Sequence, residues 1–256
     1  MLDKTAVIDS IKDFVGSYHE LKHTKTNWGE PLVRIAAAND PLWTERVRLI
    51  SGTHCTPEDM LPGAKSVICY FIPFEKETVI SNAGGDLPSE EWDTAYLETN
   101  VMLGELKNHL RALLAQSHFR GDEKPPVYNY STDGYVSDWS HKTAAFIAGL
   151  GTFGLHNMLI TEKGCCGRLG SIVTDLELQA DPRTEKENCL FFAEGICGAC
   201  ISRCPAGAIS PDGYCRKTCG DRIYATPMRT TELGTADTCG KCAAMVPCSF
   251  GIPGAV

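Results

Sequence analysis

Cys197-Gly-Ala-Cys200-Ile-Ser-Arg-Cys204-Pro205, preceded by Cys189 and followed by Cys239-Gly-Lys-Cys242, is the stretch that decides how the second part of this chain folds. Nine of the thirteen cysteines lie between Cys189 and Cys248. A Cys-x2-Cys-x3-Cys-Pro run lets neighbouring thiolates wrap one side of an iron–sulfur cube. In two-cluster ferredoxins the cysteine before the proline turns away and ligates the other cube. Zinc needs four thiolates per ion and gives no reason for the Cys-Pro step. A disulfide framework suits a short secreted chain, whereas this one opens Met1-Leu2-Asp3-Lys4 with no export signal. Two [4Fe-4S] clusters are therefore expected.

With the ferredoxin crossing, Cys189, Cys197, Cys200 and Cys248 serve one cluster. Cys204, Cys239 and Cys242 serve the other, with Cys215 and Cys219 competing for its fourth position. The spacing departs from the ferredoxin pattern in three places. The intervals Cys189 to Cys197 and Cys242 to Cys248 are long, and Pro247 precedes Cys248 instead of following it. Cys69 sits in an apolar run and reads as core packing. Cys165-Cys166 lie between glycines, where a redox or substrate role is open.

The 256 residues suffice for one large domain or two smaller ones. No apolar run reaches the ~18 residues of a membrane span, so no membrane partner is expected. The formal net charge of -8 argues against a dedicated nucleic-acid binder. Residues 181–256 carry eight Lys/Arg and eight Asp/Glu, so the acidic excess belongs to the first 180. Many free cysteines with no signal point to a reducing cytoplasm and to anaerobic or low-oxygen chemistry.

Val7/Ile8, Ile11, Phe14/Val15 and Tyr18 predict an amphipathic helix over 1–23. Ser66 to Ile72 reads as a buried strand after the Leu61-Pro62-Gly63 turn. A long helix runs from about Glu90 to Gln116, and strands are expected at 126–130 and 171–178. Ser140 caps a short helix that stops at Gly149. Strands alternating with helices argue for an α/β core over 1–180, followed by a cysteine-rich module over 181–256.

Three segments, Leu61-Pro-Gly-Ala-Lys-Ser-Val-Ile68, Ala148-Gly-Leu-Gly-Thr-Phe-Gly154 and Arg168-Leu-Gly-Ser-Ile-Val-Thr-Asp175, stand in that order before Cys204-Pro-Ala-Gly-Ala-Ile209. In this the chain resembles epoxyqueuosine reductases and, more distantly, reductive dehalogenases, over about residues 55–250. The resemblance implies a nitroreductase-like α/β domain that binds base-off cobalamin, then a two-cluster ferredoxin-like module. It also selects Cys219, in Gly213-Tyr-Cys-Arg-Lys-Thr-Cys219, over Cys215. Gly149, Leu150, Gly151, Thr152, Phe153, Gly154 and Leu155 are then the expected cobalamin-lining residues, because a turn poor in side chains lets backbone approach a flat ring. No Asp-x-His-x-x-Gly run is present to supply a cobalt ligand.

The family's acidic proton donor has no direct counterpart. An ungapped register puts Tyr135 there, and a gap of two residues puts Asp133 there. Asp138 and His141 are further candidates, paired if the helix begins a turn before Ser140. The family's helical-repeat region for tRNA has no counterpart before Val256, so a small-molecule substrate is expected, with reduced ferredoxin or flavodoxin as electron donor. The expected function is a cobalamin-dependent iron–sulfur reductase. The alternatives are an electron-transfer protein that activates a partner corrinoid protein, and a cluster-bearing redox sensor.

Overall fold

A computed structural model describes residues 2–45, 54–122 and 135–254. In chain order its elements are α1 (Lys4–Lys22), β1 (Leu32–Ala37), α2 (Leu42–Glu45), α3 (Pro57–Met60), β2 (Ser66–Pro73), α4 (Lys76–Ser81), α5 (Glu90–Gln116), α6 (His141–Ile147), β3 (Gly151–Phe153), β4 (Leu159–Thr161) and β5 (Gly167–Thr174). The cysteine-rich part adds α7 (Leu190–Glu194), α8 (Ala199–Arg203), β6 (Ile209–Ser210), β7 (Gly213–Tyr214), α9 (Arg216–Ala225), β8 (Thr230–Thr231) and β9 (Gly234–Thr235).

Every residue of β2 is buried, because this strand is the middle of a three-stranded sheet ordered β1-β2-β5. Both pairings are antiparallel, with Cys69 opposite Arg34 on one side and Ser171 on the other. Alternation along the chain therefore produces a mixed α/β fold in which, among the described residues, every strand pairing is antiparallel. Side chains of a strand alternate between its faces. Ile68, Tyr70 and Ile72 join the apolar stripes of α1 (Val7, Ile11, Val15, Tyr18) and α5 (Met102, Leu106, Leu110, Leu114). Val67, Cys69 and Phe71 pack on Trp43, Trp139 and the α6 residues Ala144 and Ile147. Cys69 is core packing, as read.

Helix ends follow local chemistry. Asp3 accepts from the Ala6 amide at the start of α1, and Ser89 from the Trp92 amide at the start of α5. Glu90, Glu91 and Asp93 place negative charge at the positive end of the α5 dipole. The expected strand at 171–178 lies earlier, at 167–174. Asp175 turns out to hold Arg120, through its amide at 2.7 Å and its Nε at 2.8 Å. The expected strand at 126–130 and Asp133 fall outside the described residues.

The cysteine-rich part does not stand apart from the sheet. Asn188 donates to the Ile160 carbonyl at 2.7 Å, and Asn82 donates to the Cys239 carbonyl at 2.9 Å. Cys189, Cys200, Ile209 and Ala243 belong to the same buried cluster as α1 and α5.

Candidate metal centres and the adjoining cavity

Short helices and tight turns bring the cysteines into two groups. Cys189 precedes α7, Cys200 lies inside α8 and Cys204 ends it. In both Cys-x-x-Cys pairs a glycine follows the first cysteine at positive φ, Gly198 at 102° and Gly240 at 67°. That backbone conformation suits glycine, and here it reverses the chain between the two thiols.

Cys189, Cys197, Cys200 and Cys248 line one small pocket, closed by Leu155, Ile160 and Phe191. Cys204, Cys219, Cys239 and Cys242 line a cavity of about 400 Å³. Cys215 is exposed and lies outside it, and its sulfur accepts from the Thr218 hydroxyl at 3.1 Å. Electrostatics reflect the same grouping. Burial pushes the Cys200 thiol up to about 11, with Cys248, Cys189 and Cys197 adding to the rise. Burial also raises Cys242, followed by Cys239, Cys219 and Cys204. Cys248 runs the other way, held at about 5 by the Cys165 thiol first and the His156 imidazole second. Thiols that repel one another as anions are relieved by a multivalent cation, and metal binding then releases their protons. Four thiols per group fit two [4Fe-4S] clusters in ligand type and number.

The cavity is walled by Phe74, Trp92, Tyr96, Tyr135 and Tyr214, with Lys142, Arg168 and Arg216 among its polar groups. The Arg168 guanidinium lies 4.3 Å from the Tyr96 ring centroid and donates to Asn100 at 2.7 Å. Asp237 accepts from the Tyr96 hydroxyl. Lys142 donates to the Asn157 carbonyl at 3.0 Å. Burial, then the nearby Arg216 charge, lowers Lys142 to about 8, which lets it exchange a proton near neutral pH.

Of the three proton-donor candidates among the described residues, Tyr135 lines the cavity and Asp138 and His141 do not. Its ring stacks on Tyr224 at 5.5 Å and packs against Gly220, and its hydroxyl donates to Asp221 at 2.9 Å. That bond to a carboxylate raises its pKa. Asp138 is buried elsewhere, its carbonyl accepting from the Cys55 amide at 2.6 Å. His141 bonds Ser171 at 2.8 Å, and its burial near Lys107 and Arg168 pushes it down to about 4. The expected Asp138–His141 pair does not form, because Ser140 caps α6 and the helix begins at His141.

The glycine turn packs closely on its own chain. A Cβ on Gly149 would lie 2.5 Å from the Pro182 carbonyl oxygen, one on Gly151 would strike the Ile160 carbonyl of the β3–β4 hairpin, and one on Gly154 would lie 2.6 Å from His156. These close approaches are to the chain itself, and no residue from Gly149 to Leu155 lines the large cavity. Leu155 lines the pocket of the first quartet instead. Among the described residues, the space a side chain would take at Gly149, Gly151 and Gly154 is filled by the chain itself.

No protein-family model matches the sequence, and no curated protein sequence does. Solved structures do match. An epoxyqueuosine reductase from Streptococcus thermophilus is similar with a TM-score of 0.57 at 16% identity, covering 100% of this chain and 68% of that one. The enzyme from Bacillus subtilis gives 0.55 at 16%, covering 96% and 67%. A catabolic reductive dehalogenase in complex with 3-bromo-4-hydroxybenzoic acid gives 0.58 at 17%, covering 97% and 36%. The chain has the fold of the epoxyqueuosine reductases.

At these identities the fold is what is shared. The chain spans about two thirds of the length of the epoxyqueuosine reductases and about a third of the dehalogenase. One epoxyqueuosine reductase with this fold is solved with a tRNA stem loop, so the fold gives no argument against nucleic acid, and the net charge alone carries that expectation. Among the described residues no helix is long and apolar enough to cross a membrane. Sequence reasoning missed Lys142, His156 and Arg168, since a single basic residue beside a glycine turn or in a strand carries no local signal of a cavity.

Proposed function

We propose that the chain is an iron–sulfur reductase of a small molecule, with two [4Fe-4S] clusters feeding a reaction in the aromatic cavity. The observation that carries it is the second quartet, Cys204, Cys219, Cys239 and Cys242, opening into a 400 Å³ cavity. That volume falls within the ~300–1,000 Å³ of small-molecule sites. The fold common to two groups of reductases supports the same reading.

The clusters would supply single electrons, and cobalamin bound base-off in the cavity would supply a low-valent cobalt. Cys189, Cys197, Cys200 and Cys248 would hold the first cluster. Trp92 and Tyr96 would flank the ring, and Phe74 keeps water from that wall. Lys142 holds a proton at Nζ and Tyr135 one at its hydroxyl, both at the cavity surface. Arg168 and Arg216 favour an anionic group on whatever enters. Reduced ferredoxin or flavodoxin as electron donor and a cytoplasmic site complete the reading. Its domain boundary is near residue 181.

Anaerobic reconstitution should give close to eight iron and eight acid-labile sulfide per chain. In Cys204→Ser both should fall by about half, because the second quartet loses a thiolate and the first keeps four. Zinc without sulfide would reject the reading. The second reading, an electron-transfer protein for a partner corrinoid protein, is favoured by one observation: the glycine turn packs against its own chain. Cobalamin retained stoichiometrically with both clusters in place supports the enzyme, whereas clusters without cobalamin support the carrier.

A further inference from the structure

Between the two quartets stand two residues that neither cluster uses. His156 is buried and lines both the small pocket and the large cavity. Its Nδ1 accepts the Met158 amide at 3.2 Å, so that nitrogen carries no proton. The ring proton of the neutral imidazole therefore sits on Nε2, which lies 3.4 Å from the Cys248 sulfur. Gly154 makes room for this ring, since a Cβ there would lie 2.6 Å from Cε1.

Cys165 approaches the same sulfur from another side. Its Sγ is 3.9 Å from Cys248 Sγ, and its amide donates to the Cys248 carbonyl at 3.0 Å. Cys166 donates its thiol to the Ala243 carbonyl at 3.1 Å, which lies 4.0 Å from the Cys165 sulfur. The ligand atoms of His156, Cys165 and Cys248 lie within 4.8 Å of one another. A separate metal ion at these three would take Cys248 from the first quartet and leave it with three thiols.

We propose that His156 and Cys165 are positioning residues whose N–H and S–H hydrogen bonds to the Cys248 sulfur raise the reduction potential of the first cluster. The proposal rests on the two-cluster reading. Reduction adds negative charge to a cluster and its thiolates. A hydrogen bond to a ligand sulfur strengthens with that charge, so it stabilises the reduced form more than the oxidised one. Burial of both donors keeps water from replacing them. In the second quartet the Cys204 sulfur accepts instead from the Ala208 amide at 3.3 Å.

The test is a redox titration of the reconstituted full chain followed by electron paramagnetic resonance, with the first cluster's signal assigned in the Cys204→Ser protein. His156→Leu and Cys165→Ala remove a donor each, whereas His156→Gln and Cys165→Ser keep one. The first pair should make the first cluster at least tenfold harder to reduce, about 59 mV for a one-electron couple. The second pair should recover most of that shift. Eight irons in the wild type with potentials unmoved by Leu and Ala would overturn the proposal and leave the two-cluster reading standing. Equal shifts in the Leu and Gln proteins, or loss of the first cluster in both, would make His156 a packing residue and likewise overturn it. A wild type that holds zinc without sulfide would remove both.

Discussion

Replacing His141 by glutamine tests whether this histidine is a proton donor or part of the core. Its imidazole lies against Ser171 with its pKa pushed down to about 4 by burial and by the Lys107 and Arg168 charges. The unfolded chain binds that proton near 6.5. The folded-state pKa is therefore depressed, so the neutral ring's contribution is complete above pH 6.5 and is lost as pH falls towards 4. The full difference of about 2.5 units corresponds to about 3 kcal/mol. At pH 5.0 linkage gives a loss of about 2 kcal/mol, and at pH 7.5 almost none. Glutamine keeps a hydrogen bond to Ser171 and has no proton to gain. Urea unfolding under anaerobic conditions at the two pH values should show the wild type losing about 2 kcal/mol more than His141→Gln, the acid lability of the clusters being common to both. A histidine proton resonance titrating near 4, absent in the variant, would assign the effect. Equal pH dependence in the two proteins, or a His141 midpoint near 6.5, would refute the reasoning and return His141 to the list of donors.

Other expectations are as direct. Gly151→Val should lower the unfolding temperature and the soluble yield before any selective loss of a cofactor, since its side chain strikes the Ile160 carbonyl across the hairpin; selective cofactor loss in a fully stable variant would contradict that geometry. Cys215→Ser should keep close to eight iron whereas Cys219→Ser loses about half, because Cys219 and not Cys215 lines the cavity with Cys204; the reverse pattern in iron analysis would exchange their roles. Lys142 should titrate near 8, with its charge present below and lost above, as a methyl-lysine resonance missing from Lys142→Arg; a midpoint near 10.4, that of an ordinary lysine, would show the cavity does not desolvate it.

Local spacing in the sequence determines local hydrogen bonds, and those features were readable. The stripe of α5 and its ends at Glu90 and Gln116 follow from periodicity. Ser140 at the start of α6 is legible as a capping serine. The cysteine runs were legible because thiols three and four residues apart, joined by glycine, reach one small volume without help from the rest of the chain. Contacts across long separations were not. Cys248 meets Cys165 and His156 across 83 and 92 residues, and no local pattern encodes that meeting. The choice of Cys219 depended on resemblance until the phase of α9 against Tyr214 and Arg216 turned that side chain to the cavity. The glycines from 149 to 154 suggest, in the sequence, a surface open to a ring. A missing side chain permits close approach by any neighbour, and only packing decides whether the neighbour is a ring or, as here, the chain's own carbonyls and His156.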